Sequence, residues 1–384
     1  MTSTTPPSWV GLVEGLAAEG VLGEQWRAAF LEVPREVFIP GLIWRHAGDE
    51  LVALHRADEP QEWLRRACGP RYVVTQVDDG SPVGPGGRGR MATSSASRPD
   101  VVALMLDAAR IEPGMRVLEI GTGTGYTAAL LAHRLGGGNV TTIEVDPDLA
   151  ARSRAALTTA GYGEVTVLCG DGARGYPEGA PFDRVLSTVA APRVPYGWVA
   201  QTRPGGLVIT PWGSAYKPAG LLSLTVDVDG IASGSLVNTT VSFMELRDQR
   251  IPRAAITELV RDTDTPDISE TDLHACEFCN DDAPFAIALQ VPGCRWEYVP
   301  ATSDDGRWCV WFLDPTTRSW ARFDYQPDTD RWPVHQFGPR RLFDEVAAAH
   351  HQWDQAGRPA ATQWSFTVTP DGQRVWLAGA SWLG

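Results

Sequence analysis

Residues 115 to 126 read MRVLEIGTGTGY. The run VLEI is apolar and of strand length. Gly121, Gly123 and Gly125 follow at every second position, and YTAALLAHRL begins at once with helical spacing of its apolar residues. A strand that ends in closely spaced glycines and opens a helix is the local pattern of a nucleotide-type site in a parallel sheet. Glycine accepts the positive φ of such a turn and lets a ligand approach the backbone.

The same alternation extends on both sides. Upstream, DVVALMLDAARI (100–111) is an amphipathic helix. Downstream, VTTIEV (140–145), VTVLCG (165–170), FDRVLST (182–188) and GLVITPW (206–212) are strands, with PDLAARSRAALTTAGY (147–162) a helix between the first two. Strands separated by helix-length segments predict a parallel, doubly wound α/β sheet. Glu144 ends the strand after the glycine turn, 144 − 125 = 19 residues beyond Gly125, where a carboxylate accepts ribose hydroxyls; Val145 is beside it. Asp171 and Gly172, in CGDGA, are placed to meet an adenine amino group. The glycine spacing is GxGxG, not the GxGxxG of dinucleotide sites, and Glu119 directly precedes it. An acid there suits a cationic ligand better than a diphosphate, which favours S-adenosylmethionine over the competing NAD.

Composition sets outer limits. The net charge of −14 and pI near 5.0 argue against nonspecific binding to nucleic acid or anionic membrane. No apolar run approaches the roughly 20 residues of a membrane helix, and MTSTTPPSWV has no secretory pattern, so the expected location is the cytoplasm. The six cysteines are scattered. Cys276 and Cys279 form a CxxC after His274, but no second ligand pair stands at matching spacing, and no metal is expected. The 384 residues divide into an N-terminal helical segment with an insertion (1–90), a ligand-binding core (91–250) and a C-terminal α+β domain (251–384). In the last, WCVWFL and SWARFDY flank DPTTR, FTVTP and RVWLAG flank DGQ, and RRLFDEVAAAHHQWDQAG is a helix. Most of the fifteen tryptophans read as large core residues, with a peptide-binding surface as the alternative. DDGSPVGPGGRGR (78–90) reads as a mobile loop or linker, and ATSSASRPD (92–100) as a polar loop capping a helix, with Pro99 at its first position and Ser97 or Arg98 as cap.

The order EIGTGTGY, VTTIEVD, GDGARGYPEGAPFDRVLSTVAAPRVP and RPGGLVITPWG resembles the protein-L-isoaspartate O-methyltransferase family. Two stretches outside the generic core add to the resemblance: WRAAFLEVPREVFIP (26–40) and SRPDVVALM (97–105). It covers about residues 15 to 250. It implies a Rossmann-like class I S-adenosylmethionine methyltransferase fold, with the N-terminal helical segment and an extra C-terminal α+β domain. It places Ser97 at the family's functional serine, touching both donor and acceptor, and Gly121, Thr122, Gly123, Thr124, Gly125 and Tyr126 in the donor loop with Glu119, Glu144, Val145, Asp171 and Gly172. Ser95 and Thr188 are further candidates for the reaction; Thr93, Ser94, Arg98 and Arg247, with Gln249 beside it, are candidates for holding the acceptor.

Asp100 stands where the family commonly has His or an aromatic residue, and residues 41–90 and 251–384 are additions. In these features, the serine-rich stretch and the tail FTVTPDGQRVWLAG, the chain resembles actinobacterial members that accompany ribosomally made, modified peptides: graspetides and lanthipeptides. The function this implies is methylation of an aspartyl carboxylate in such a peptide, leading to aspartimide or isoaspartate. Isoaspartate repair, and a small-molecule methyltransferase or donor-binding regulator, are the alternatives. The expected partner is a peptide, and a monomer is favoured.

Overall fold

A computed structural model describes residues 8–217, 220–250, 252, 254–279, 282–300 and 306–377. The leading MTSTTPP and the last two residues of the expected strand RVWLAG lie outside them. Two compact units are present: Met1–Ala190, Val194–Pro211 and Ser223–Ser233 form the first, and Ala191–Arg193, Trp212–Leu222 and Gly234–Gly384 the second.

The first unit begins with α1 (Trp9–Ala18) and α2 (Glu24–Glu32). The Ser8 side chain caps α1 by accepting from the Gly11 amide at 3.0 Å. Trp9 stacks on Phe30, and the edges of both meet Tyr126. The segment expected to be an insertion folds as β1 (Leu42–Ala47), β2 (Glu50–His55), α3 (Pro60–Ala67) and β3 (Val73–Val77), and the serine stretch joins it as β4 (Ala92–Ala96). The antiparallel order is β2-β1-β3-β4. Ile39, Ile43, Leu54, Trp63, Ala67, Val73 and Ala96 form its core. ATSSA is therefore a strand, not a loop, and the cap of the following helix is Arg98 with Pro99 at the first position. Residues 78–90 differ from the expectation of a mobile linker. The Asp78 carboxylate accepts from the amides of Val83, Arg90 and Met91, and Leu51 and Gly89 exchange two backbone hydrogen bonds at 2.8 Å each. Glycine and proline content signals a turn; it does not register one carboxylate that satisfies three amides within it.

The α/β layer follows: α4 (Pro99–Ala108), β5 (Val117–Ile120), α5 (Tyr126–Leu135), β6 (Val140–Glu144), α6 (Pro147–Thr159), β7 (Thr166–Cys169), β8 (Phe182–Ser187), α7 (Tyr196–Ala200) and β9 (Thr202–Pro211). The strands β9-β8-β5-β6-β7 are parallel. The strand order reverses between β5 and β8, which opens a crevice at their carboxyl ends. β10 (Leu221–Val226) lies beside β9, and β11 (Ala232–Asn238) beside β10, which makes the sheet mixed. β5 is buried on both faces, so its sequence reads as continuous apolar residues apart from Glu119.

In the second unit, α8 (Ile256–Leu259), β12 (Asp267–Thr271), α9 (Ala275–Cys279), α10 (Ala283–Gln290), β13 (Arg295–Val299), β14 (Trp308–Asp314), β15 (Ser319–Tyr325), β16 (Trp332–Phe337) and α11 (Leu342–Gln355) precede β17 (Trp364–Thr369) and β18 (Gly372–Leu377). A five-stranded antiparallel sheet runs β12-β16-β15-β14-β13, and β17 pairs with β18. Trp320, Trp332, Trp353 and Trp364 are buried, in keeping with large core residues. Phe278 on α9 meets Phe312, Phe323 and Phe343 edge-on. No helix among the described residues is long and apolar enough to cross a membrane.

Phe278 is fully buried. Phe278→Ala is expected to destabilise the protein by about 3–5 kcal/mol in urea denaturation, the lost transfer energy plus the cavity.

Candidate functional site

The site grows from the turn after β5. Gly121, Gly123 and Gly125 have φ of +90°, +54° and +86°. A Cβ on Gly121 would meet the Thr188 hydroxyl at 2.8 Å and Val189 at 3.0 Å, so neither the dihedral nor the space admits a side chain there. A Cβ on Gly123 would meet Ser94 Oγ at 3.7 Å and the Ser95 carbonyl at 3.8 Å. The serine strand β4 thus lies against the glycine turn, two elements that are far apart in sequence.

Glu119 is fully buried on β5. Its Oε2 accepts from Thr142 on β6 at 2.6 Å, while its Oε1 has no partner. With its proton given to Glu119, Thr142 accepts from Thr122 at 2.7 Å, so two buried hydroxyls tie the turn to the acid. Burial, opposed by the Thr142 hydrogen bond and reinforced by the nearby Glu144 charge, raises the Glu119 pKa to about 8. Glu144 ends β6, and its carboxylate accepts from the amides of Gly123 (2.9 Å) and Asp146 (3.1 Å). Asp146 caps α6 and also accepts from Gln76 on β3 at 2.9 Å, and Thr93 on β4 donates to Gln76 at 2.8 Å. Sequence reasoning missed Gln76, Asp146 and Thr142. Only Thr142, a hydroxyl inside the apolar strand VTTIEV, carried a local signal.

The other expected site residues fall into different settings. Thr188 donates toward the carbonyls of Ile120 and Gly121, so its single proton is committed to holding the turn. Thr75 donates to the Ser94 hydroxyl, and Thr93 accepts from the Asp79 amide. Ser95 and Ser97 are half-buried, and neither side chain has a hydrogen-bond partner among the described residues. The Tyr126 ring packs among Trp9, Phe30 and Phe38, turned to the N-terminal helices, so its contribution to the turn is its backbone. Thr124 is half-buried and Val145 is exposed. Asp171 is exposed and accepts from the Ala173 amide, while the Gly172 carbonyl accepts from the Trp198 indole. Arg98 is paired with Asp100 through two hydrogen bonds, which gives Asp100 a local role. Both line a cavity of about 280 Å³ with Gly11, Leu12 and Pro99. Arg247 belongs to the second unit, as does Gln249, which brackets the backbone of Arg193. His133 on α5 is half-buried and shares a hydrogen bond with the Tyr162 hydroxyl.

A family model described as "Protein-L-isoaspartate(D-aspartate) O-methyltransferase (PCMT)" matches residues 83–248. A protein-L-isoaspartate O-methyltransferase of Hyperthermus butylicus is 39% identical over 215 residues, which cover 53% of this chain and 75% of that protein. The chain belongs to the protein-L-isoaspartate O-methyltransferase family. A second member, from Thermococcus onnurineus, is 38% identical over 54% of this chain and 78% of its own length. A solved structure with the same protein name covers 96% of this chain and 99% of that one at a TM-score of 0.56 and 20% identity, a likeness of fold. As a member of this family, the protein is a carboxyl methyltransferase with S-adenosylmethionine as its donor and a protein or peptide aspartyl side chain as its acceptor.

The residues around the turn fit that donor. It carries a cationic ammonium and a sulfonium. The chain offers no basic side chain in the turn; it offers a buried acid with one oxygen unpartnered and a second acid at the end of β6. A raised carboxyl pKa has a readable consequence. Below pH 4.5 the folded and unfolded chains both hold the Glu119 proton. Between 4.5 and about 8 only the folded chain does, so this group's contribution to stability falls as pH rises and levels off above 8. Glu119→Gln is expected to show a flatter stability profile than wild type between pH 5 and 8 in urea titrations; identical profiles would remove the buried, protonated carboxyl.

Proposed function

We propose that the protein methylates an aspartyl side-chain carboxylate in a ribosomally made, modified peptide, and that the ester goes on to aspartimide or isoaspartate. The enzyme acts as a monomer in the cytoplasm. The observation that carries the carboxyl chemistry is the seat of β4 on Gly123: the Ser94 hydroxyl and the Ser95 carbonyl lie against the turn, in the segment that also carries the half-buried Ser95 and Ser97. Residues 1–90 and 91–250 make the transferase, and 251–384 read the peptide. The feature supporting a modified-peptide acceptor is Asp100, directly after Pro99 in the segment that follows the serine strand.

An aspartyl carboxylate, with an ordinary pKa near 4, is ionised at pH 7 and needs no general base. S-adenosylmethionine, when bound, supplies an electrophilic methyl group on sulfur. The glycine turn, Glu119, Thr122, Glu144, Val145, Asp171 and Gly172 hold the donor. Ser97 and Ser95 donate to the carboxylate oxygen that does not react, which orients it without the strong pairing a cation would impose. The reacting oxygen forms its bond to carbon as the carbon–sulfur bond breaks. In the ester, the amide nitrogen of the following residue attacks the carbonyl, loses its proton, and methanol leaves as the five-membered imide closes.

Repair of isoaspartyl residues is the second reading, favoured by relatives that are named protein-L-isoaspartate O-methyltransferases and by the near full-length fold correspondence with one of that name. Labelled donor separates the two. Transfer to a modified precursor peptide well above transfer to a generic isoaspartyl peptide is expected, and the reverse preference overturns the first reading. Ser97→Ala is expected to lower kcat by about tenfold or more with donor affinity within about twofold, the scale of one charge-assisted hydrogen bond. Glu144→Ala is expected to weaken donor binding in calorimetry by roughly tenfold, since the same carboxylate also holds the Gly123 amide.

A further inference from the structure

Arg35 lies at the start of the short turn after Pro34 and is 0% exposed. Among the described residues its guanidinium forms no ion pair, although the charge of the adjacent Glu36 acts on it. It donates to four backbone carbonyls: Nη1 to Ala67 (3.2 Å) and Gly69 (3.1 Å), Nη2 to Arg71 (2.9 Å) and Ala96 (2.9 Å). Burial lowers its pKa to about 10, which leaves it charged at neutral pH. A buried charge of this kind is costly, and a planar five-donor fork is the one side chain able to spread it over several carbonyls.

The fourth carbonyl is the informative one. Ala96 is the last residue of β4 and the residue before Ser97. On its other side Ser97 is followed by Arg98, the cap of α4, whose carbonyl accepts from the Val102 amide at 3.0 Å. Ser97 is therefore a single residue held between two fixed points: a carbonyl pinned by Arg35 and a helix start locked by Pro99. The other three carbonyls belong to the last residue of α3 and to the link from it to β3, so one cation joins the turn after α2, the antiparallel sheet and the serine segment.

We propose that Arg35 is a positioning residue for methyl transfer: through the Ala96 carbonyl it sets the backbone that presents the Ser97 hydroxyl to the acceptor carboxylate. This rests on the assignment of Ser97 to the acceptor made above. Arg35 touches neither reactant, and its effect appears in acceptor chemistry rather than in donor binding.

The test uses the full chain with Arg35→Lys, which keeps the charge and loses the fork, and Arg35→Gln, which keeps two N–H donors and loses the charge. Melting temperature, donor Kd by calorimetry, and kcat and KM for the acceptor peptide are measured for each. The expected result for at least one folded variant is a fall in acceptor kcat/KM of about tenfold or more, the scale set by small misplacements of a reacting group. Donor Kd stays within about twofold. Added guanidinium ion is expected to restore part of the lost rate. Acceptor kinetics at the wild-type level overturn the proposal. So does a parallel loss of donor and acceptor parameters in proportion to the folded fraction, and so does the absence of a cooperative transition in both variants, since each makes Arg35 a stability residue alone. Ser97→Ala keeps the two readings distinct: if it leaves acceptor kinetics unchanged, the assignment of Ser97 fails whatever Arg35 does.

Discussion

The turn between β5 and α5 passes through three glycines at positive φ, and its neighbours crowd it until a side chain has no room at Gly121. Thr188 closes over Gly121, Ser153 and Leu157 lie 3.4 Å from a Cβ built on Gly125, and β4 crosses at Gly123. Much else depends on this backbone path. It fixes where α5 begins, and hence where Tyr126 enters the cluster of Trp9, Phe30 and Phe38. Those rings seat the N-terminal helices by burying apolar surface worth about 1.5–3 kcal/mol per large side chain. The ligand-side geometry and the packing of the amino terminus are thus two consequences of one turn.

Around that turn the protein buries groups that a purely stabilising core would exclude. Glu119 lies inside the sheet with an unpartnered oxygen, and Arg35 lies among carbonyls with its Nε unpartnered. An unsatisfied buried polar atom costs about 1–3 kcal/mol. The two costs are handled differently. Arg35 offsets its burial with four hydrogen bonds and fixes backbone. Glu119 offsets its burial by holding a proton, which leaves an acid able to ionise when a cationic donor arrives.

Hydrophobic period and glycine placement made most of the central layer legible. VLEI, VTTIE and FDRVLS became strands, and YTAALLAHRL became a helix from its first residue to its last. Glu119 and Glu144 were visible as the acids that flank the glycine turn, Glu119 inside β5 and Glu144 at the end of β6. Residues 41–96 were harder. Their strands are short, and β1 pairs with β3 across the intervening β2 and α3, a pairing that no local period encodes. ATSSA looked like a loop because small hydroxyl residues satisfy turns well; its pairing with Val73–Val77 outweighed that preference. Arg35 was visible only as part of a quoted signature, since nothing in PREVF reveals which carbonyls a buried guanidinium will find.

The sequence by itself determined the alternation of strands and helices, the glycine turn, the acids at the strand ends and the family. These are properties of neighbouring residues: period, dihedral freedom and charge within a few positions. The tertiary structure alone decided which hydroxyls are spent and which are left. It gave Thr93 to Gln76 and Thr188 to the turn, hydrogen-bonded Thr75 to Ser94, and left Ser95 and Ser97 half-buried without a side-chain partner among the described residues. A hydroxyl has one proton, and its partner is chosen by which segments pack together, which no stretch of nine residues contains.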